Sequence, residues 1–221
     1  ALVTFQATLG MWTVTWQLKP AVVTAHLLGG LATLSLLWWV TLRSNHLPGA
    51  GVLAGKRGLS ALLAAGLVVA IAQITLGGWT STNYAALACN DFPACSQGEY
   101  LPDNIDFAEG FVLWRGLGEN YEFGVLDHPA RMAIHFVHRV GAIVTTVVLG
   151  LLAWGLWRAG GVGRGASLAV VGALTLQVLI GIGNVIYNLP LTLAVAHNAG
   201  AAVLMLVLVT VTHFSRPLGR T

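Results

Sequence analysis

Long apolar runs separated by short polar stretches dominate the chain. Five runs are long enough, at roughly 20 residues, to cross the hydrocarbon core of a bilayer as helices. They cover residues 21–42, 59–79, 130–157, 166–187 and 191–214, and a shorter apolar run covers residues 1–16. None has the two-residue alternation of a membrane barrel strand. The pattern therefore predicts an all-α, polytopic membrane bundle of six helices, the first of them truncated.

The composition agrees with a membrane protein. Of the 221 residues, 56% are hydrophobic and only 9% are charged, whereas soluble domains carry about 25% charged residues. A water-soluble domain, a disordered chain and a nucleic-acid reader are excluded on this basis. The expected surroundings are membrane lipid, and no nucleic-acid partner is expected.

The charges predict the orientation in the membrane. Basic residues gather in the loop between the second and third apolar runs, in the loop before residue 166, and in the tail. They are Arg43, Lys56, Arg57, Arg158, Arg164, Arg216 and Arg220. All eight Asp and Glu residues lie in the loop 80–128, where Arg115 is the one basic residue. By the positive-inside rule, the loop 80–128 lies on the outer face. We expect the inner membrane of a bacterium rather than of a mitochondrion.

The long outer loop carries further signals. Residues 104–117 place aromatic and aliphatic side chains among acids and glycines, which predicts an amphipathic interfacial helix, with an ordered but inert cap as the alternative. Asp127 is expected to cap the next helix through its side chain, and Pro129 to occupy the first turn. Cys89 and Cys95, on the oxidising side, favour a disulfide over a redox role.

A repeat relates the two ends of the chain. Residues 6–30 match residues 177–201 with seven identities and no gap, and these include Gln6 with Gln177 and His26 with His197. The second copy follows two further helices, so we expect a parent of eight helices in two halves. Residues 1–58 would then be a remnant of the N-terminal half, and residues 59–221 the complete C-terminal half.

Four of the seven histidines fall inside the apolar runs, where an ionisable side chain is costly and marks a functional hypothesis. They are His26, His135, His138 and His197. The other three lie at segment ends or in a loop and are expected to be solvated or interfacial. They are His46, His128 and His213.

His138 and His197 form the candidate site. At 1.5 Å per residue they lie about 12–13 Å and about 9 Å inward from the outer ends of their helices. Two imidazoles at similar depth on different helices can ligate a haem iron axially. Zinc and proton relays are disfavoured because the spans contain no acidic residue. A structural histidine bonded to a carbonyl is the remaining alternative.

Neighbouring residues extend this hypothesis to cofactor binding. Arg131 and Arg139 could reach haem propionates near the outer face, and His135 could line the haem edge or bond a propionate. Gly141 and Gly200 each follow a candidate ligand by three residues. They could allow either a macrocycle or another helix to approach.

Several motifs resemble those of the haem A synthase family. They are KPAVVTAHLLGG (19–30), QITLGGWTSTNYAALAC (73–89), DFPAC (91–95), FAEGFVLWRGLG (107–118), LDHPARMAIHFVHRVGA (126–142) and VAHNAGAA (195–202). The resemblance implies an eight-helix enzyme that oxidises a methyl group of haem O to the formyl group of haem A for terminal oxidases. It also implies that His138 and His197 ligate haem b, and that His26 is one ligand of the first half, where haem O sits. Cys89 and Cys95 match the outer-loop cysteine pair of the family.

The chain departs from the family pattern at its start. The first two helices of the family are missing, with their histidine and the acidic residue associated with catalysis, so the catalytic residues are expected outside this chain. His135 stands where that acidic residue has its counterpart in the second half. The implied partners are an unidentified electron donor, haem O synthase and oxidase assembly factors.

Two rival functions share the membrane architecture. A bis-His cytochrome b would transfer electrons and have no substrate pocket around His26. A transporter or structural membrane module would bind no cofactor, although the absence of intramembrane acids argues against coupled transport.

Overall fold

A computed structural model describes residues 1–44 and 49–216. His46 and Arg220 lie outside the described residues. The described chain is helical, as predicted, and its helices are α1 (Leu2–Thr15), α2 (Pro20–Ser44), α3 (Arg57–Thr82), α4 (Phe107–Gly110), α5 (His128–Ala159), α6 (Val162–Ile186) and α7 (Leu191–Ser215). Five of them, α2, α3, α5, α6 and α7, are long and apolar enough to cross a membrane. The protein is thus a multi-pass membrane protein.

Four helices form a closed ring. α3 packs against α5, α5 against α6, α6 against α7, and α7 returns to α3, so that α5 and α7 stand diagonally opposite each other. α2 packs outside this ring against α3 and α7, and α1 packs against α2. Side chains on facing helices of such a bundle can share one site in its centre.

The core of the ring is aliphatic. Leu149, Leu152 and Leu156 of α5 are fully buried and belong to one cluster with Val170 of α6 and Leu208 of α7. Lipid tails are as apolar as leucine, so these contacts stabilise the bundle through close packing rather than through removal from water. The exposed leucines and valines of the spans form the face toward lipid.

The turn that joins the two helices has the same backbone conformation in both repeated pairs, α1–α2 and α6–α7. Gln17 and Leu18, after α1, have φ of 48° and 61°, and Asn188 and Leu189, after α6, have φ of 56° and 58°. Left-handed backbone is uncommon for residues other than glycine. Two such residues at corresponding positions support the repeat seen in the sequence.

The predicted amphipathic helix over residues 104–117 is wrong. Within it only α4, four residues long, is helical; Asp106 starts it by accepting a hydrogen bond from the Glu109 amide at 2.9 Å. Gly110 ends it against α5, where a Cβ would lie 2.7 Å from the Ala130 carbonyl oxygen. Gly116 and Gly118 then adopt φ of 82° and 92°, which a helix cannot accommodate.

The start of α5 corrects a second expectation. Asp127 occupies the N-cap position, but its side chain makes no capping hydrogen bond, and Pro129 lies in the first turn as predicted. The Asp127 backbone carbonyl instead accepts a hydrogen bond from the Arg131 amide at 3.1 Å.

The outer loop packs against the turn between α1 and α2. Lys19 is buried there, with its ammonium 3.8 Å from the centre of the Trp114 ring and bonded to the Gly116 carbonyl. The amide of Tyr121 also donates a hydrogen bond to the Gln17 carbonyl at 3.0 Å. These contacts join the loop to the outermost helix pair.

Candidate functional site

The ring of four helices brings His138 and His197 together. His138 lies on α5 and His197 on α7, the diagonal pair of helices in the ring. Both side chains are half-buried. The two histidines predicted at similar depth therefore lie on opposite helices of one bundle.

A glutamine on the preceding helix holds each histidine. Gln73 of α3 donates a hydrogen bond from Nε2 to the backbone carbonyl of His138 at 3.0 Å, and the same nitrogen lies 3.1 Å from the His138 Nδ1. Gln177 of α6 donates to the backbone carbonyl of His197 at 3.0 Å, and its Nε2 lies 3.4 Å from the His197 Nε2. Sequence reasoning did not assign Gln73 any role.

Two glycines complete each site. A Cβ on Gly141 or Gly200 would lie 2.2 Å from the Oε1 atom of Gln73 or Gln177, respectively. These two glycines therefore make room for the glutamines, which bears out the helix-approach alternative. Gly77 and Gly181 lie under the imidazoles, where a Cβ would be 3.2 Å and 3.0 Å from the Cε1 atoms of His138 and His197.

We call this arrangement the Gln–His–Gly unit. One helix supplies a glutamine and the glycine four residues after it. The helix packed against it supplies a histidine and the glycine three residues after that histidine. A third copy joins α1 to α2. There Gln6 Nε2 donates to the His26 carbonyl at 2.9 Å, Gly10 lies under the His26 ring, and Gly29 faces the Gln6 Oε1.

The sequence also contains a signal for the copy on α3 and α5. QATLGMW (6–12) and QITLGGW (73–79) share five of seven residues. The repeat predicted from the sequence relates only the two ends of the chain, so the copy on α3 and α5 was not predicted. The middle copy is less apparent because the long outer loop separates Gln73 from His138.

His135 and Arg139 lie one turn apart on α5 and contact the disulfide loop. The Cys89 amide donates a hydrogen bond to the His135 Nδ1 at 3.1 Å. Arg139 donates from Nη1 to the Ala94 carbonyl and from Nη2 to the Cys89 carbonyl, both at 2.7 Å, and its Nε lies 3.2 Å from the His135 Nε2. The predicted Cys89–Cys95 disulfide is confirmed.

Arg131 differs from Arg139. Its Nε is buried and has no hydrogen-bond partner among the described residues. An unpaired buried donor on a cation is costly, and a charged acceptor would satisfy it. The structure thus separates the two candidate anion-binding arginines: Arg139 is occupied by loop carbonyls, and Arg131 retains an unpaired donor.

The remaining histidines have different environments. His128 is exposed at the start of α5, as expected. His213 is fully buried, with its ring centre 6.4 Å from that of Trp39, so the expectation of a solvated or interfacial side chain is wrong there. An apolar cavity of about 290 Å³, lined by Trp38, Val207 and Phe214 among others, lies away from the histidine pair.

Comparison with known proteins adds an independent finding. The sequence profile of the family described as cytochrome oxidase assembly protein (COX15-CtaA) matches residues 1–209. The chain belongs to this family. In Shewanella oneidensis, a protein named Heme A synthase is 48% identical over 213 residues, covering 96% of this chain and 64% of the relative.

More distant relatives in the family carry the same name. Heme A synthase of Paracoccus denitrificans is 30% identical over 222 residues, covering 96% of this chain and 55% of the relative. That of Caulobacter vibrioides is 32% identical over 212 residues, covering 91% and 57%. This chain therefore spans between about half and two thirds of the length of these relatives.

The site contains few candidate ligands. Within residues 1–44 and 49–216, no three His, Cys, Asp or Glu side chains converge as a metal site. His138 and His197 are instead two imidazoles on opposite helices, and such a pair could hold a haem iron.

Proposed function

We propose that this chain is the haem b-binding part of a haem A synthase. The whole protein would oxidise a methyl group of haem O to the formyl group of haem A for terminal oxidases. Its membership of the cytochrome oxidase assembly protein family and its relatives named Heme A synthase support this reaction. Membrane lipid and haem O are the partners that the reaction requires, together with an unidentified electron donor. Haem O synthase and oxidase assembly factors remain predicted partners.

The imidazoles of His138 and His197, on opposite helices of the ring, carry the haem b proposal. His197 Nδ1 is buried without a hydrogen-bond partner among the described residues, and His138 Nε2 has no hydrogen bond there either. Each ring thus retains a nitrogen that could serve as a ligand, and the two residues together could hold a haem iron. When bound, the haem supplies an iron that changes oxidation state, while α5 and α7 hold the two ligands apart.

Arg131 is the proposed counter-charge for a haem propionate. Its unpaired Nε and its place in the first turn of α5 support this role. Arg139 was predicted to share it, but its hydrogen bonds to the disulfide loop support a structural role. His135 contacts the same loop, so we propose a structural role for it ahead of its predicted position at the haem edge.

His26 is proposed to ligate the substrate haem in the first half of the whole protein. The third Gln–His–Gly unit supports this because His26 shares with His138 and His197 the glutamine bond to its carbonyl and the two glycines. It also favours the synthase over the rival bis-His cytochrome, which would need no such residue outside the ring. The division into residues 1–58 and 59–221 stays a prediction.

The first test is an absorption spectrum. Reduced-minus-oxidised spectra of the purified protein should show a low-spin b-type haem, and His138→Ala and His197→Ala should each lose it because one axial ligand is removed. His128→Ala, in an exposed histidine of the same helix as His138, should keep the signal.

Three results would count against the proposal. Retention of six-coordinate haem in both ligand variants would refute the ligand assignment. A colourless wild-type protein would favour a structural module. Haem b without any haem O or haem A, in a sample that includes the first half, would favour the cytochrome.

A further inference from the structure

We propose that Gln73 and Gln177 are positioning residues that set the orientation of His138 and His197 toward the haem iron. This inference rests on the proposed haem b site. It adds to that site two side chains that do not touch the haem themselves and act through the ligands.

The backbone contact supplies the first argument. Each glutamine donates to the carbonyl of the histidine residue itself, at 3.0 Å in both units. A carbonyl inside a helix has a second lone pair, so it can accept this bond while keeping its helical one. The bond ties the turn that carries the ligand to the neighbouring helix, and so restrains how α5 and α7 rotate about their axes.

The ring contact supplies the second argument. The glutamine nitrogen also lies 3.1 Å from a ring nitrogen of His138 and 3.4 Å from one of His197. On the other side, Gly77 and Gly181 allow the Cε1 edge of each ring to approach the backbone. Each imidazole is therefore confined between an amide and a glycine, which restricts its plane.

The Oε1 atoms supply the third argument. In both units the glutamine Oε1 is buried without a hydrogen-bond partner among the described residues. A simple packing contact would not need a polar group with an unpaired buried acceptor inside a membrane. The amide group is therefore present for its donor, which bonds the histidine carbonyl, at the cost of an unpaired acceptor.

The unit on α1 and α2 provides a matched control. Gln6 makes the same bond to the His26 carbonyl, with the same glycines, but His26 lies on α2, outside the four-helix ring. Loss of Gln6 removes an equivalent interhelical hydrogen bond without changing a haem b ligand. A general packing defect and an effect on ligand orientation can therefore be told apart.

The experiment uses two kinds of variant at each unit. Gln73→Met and Gln177→Met remove the donor and keep a side chain of similar length. Gly141→Ala and Gly200→Ala keep the glutamine but place a methyl group 2.2 Å from its Oε1, so the flexible end of the side chain must move. The controls are Gln6→Met and Gly29→Ala.

Three readouts are taken on each variant, at equal amounts of folded protein. They are the largest g value of low-spin haem b by electron paramagnetic resonance, the midpoint potential of haem b, and the haem retained after exposure to a competing apoprotein. Outer-shell partners of metal-ligating histidines typically contribute 10–100-fold to affinity. We expect haem b retention to weaken about 10–100-fold in the methionine variants. We also expect the g value and the potential to shift in both kinds of variant, and the controls to match wild type.

The outcomes separate this inference from the function on which it rests. Wild-type spectra and retention in all four test variants would overturn the positioning role and leave the haem b site intact. Equal shifts in the Gln6→Met control would show that the glutamines act through general packing, which also overturns it. A wild-type protein without a bis-His low-spin signal would instead overturn the proposed haem site itself.

Discussion

At the residue scale, the two arginines of α5 show how similar side chains acquire different tasks. Arg139 lies inside the span, where an unpaired charge is costly, and it is satisfied by two backbone carbonyls of the disulfide loop. Arg131 lies nearer the outer end of the helix and keeps an unpaired buried nitrogen. The sequence alone assigned both residues to haem propionates.

Variants of Arg139 and Arg131 test whether the first stabilises the fold and the second binds haem. Arg139→Met should lower the free energy of unfolding by about 2–4 kcal/mol, because it leaves two buried carbonyls without their charged donor. Arg131→Met should leave that free energy nearly unchanged and weaken haem retention. Thermal unfolding in detergent and haem titration measure the two effects. If Arg139→Met unfolds at the wild-type temperature, its structural role is refuted.

At the element scale, the outer loop is held by contacts rather than by its own secondary structure. Trp79 Nε1 donates to the Gly110 carbonyl at 2.9 Å, and His135 accepts from the Cys89 amide. Lys19 holds the other end of the loop through Trp114 and Gly116. Burial lowers the pKa of Lys19, and the negative charge of Glu119 opposes that shift.

A second prediction concerns this fastening of the loop. Lys19→Met should free the segment around Trp114 because it removes a cation–π contact, worth about 0.5–2 kcal/mol, and a hydrogen bond to the loop. Limited proteolysis from the outer side should then cut the loop several-fold faster. The control is Lys56→Met, an exposed lysine that donates to the Ala159 carbonyl at 3.2 Å. Equal cleavage rates in the two variants would contradict the role of Lys19.

At the scale of the whole molecule, the distribution of charge and the order of the helices divide the loops between the same two ends of the bundle. The loop 80–128, with all eight acids, lies at one end of the spans, and the loops with Lys56 and Arg158 lie at the other. A surplus of Lys and Arg marks the cytoplasmic side of bacterial inner membranes. We therefore predict that the disulfide loop faces the outer side of the membrane.

Labelling of introduced cysteines tests this orientation. Asn120→Cys, in the outer loop, should react with a membrane-impermeant thiol reagent in intact cells. Ala54→Cys, at the opposite end, should react only after lysis. The native cysteines are paired and should not react. The reverse pattern would invert the topology.

How far the sequence predicts each part depends on the range of the interactions that form it. The spans were predicted within a few residues of their observed bounds, as in residues 191–214 against Leu191–Ser215, because lipid selects helices by local hydrophobicity. The pairing of His138 with His197 was predicted from their similar depth and from the repeat, and it stays a prediction. The loop was not predicted, because its conformation depends on partners tens of residues away, such as Cys89 and His135.

The amino-acid sequence is sufficient to predict the membrane helices, their charge asymmetry, the repeat, the disulfide and the candidate histidines. Each is a local or periodic property of the sequence. Tertiary structure alone decided that α5 and α7 stand diagonally opposite, that Gln73 and Gln177 hold the histidines, and that Arg139 serves the loop. These depend on which helices pack together, and apolar spans of similar composition carry little information about their neighbours.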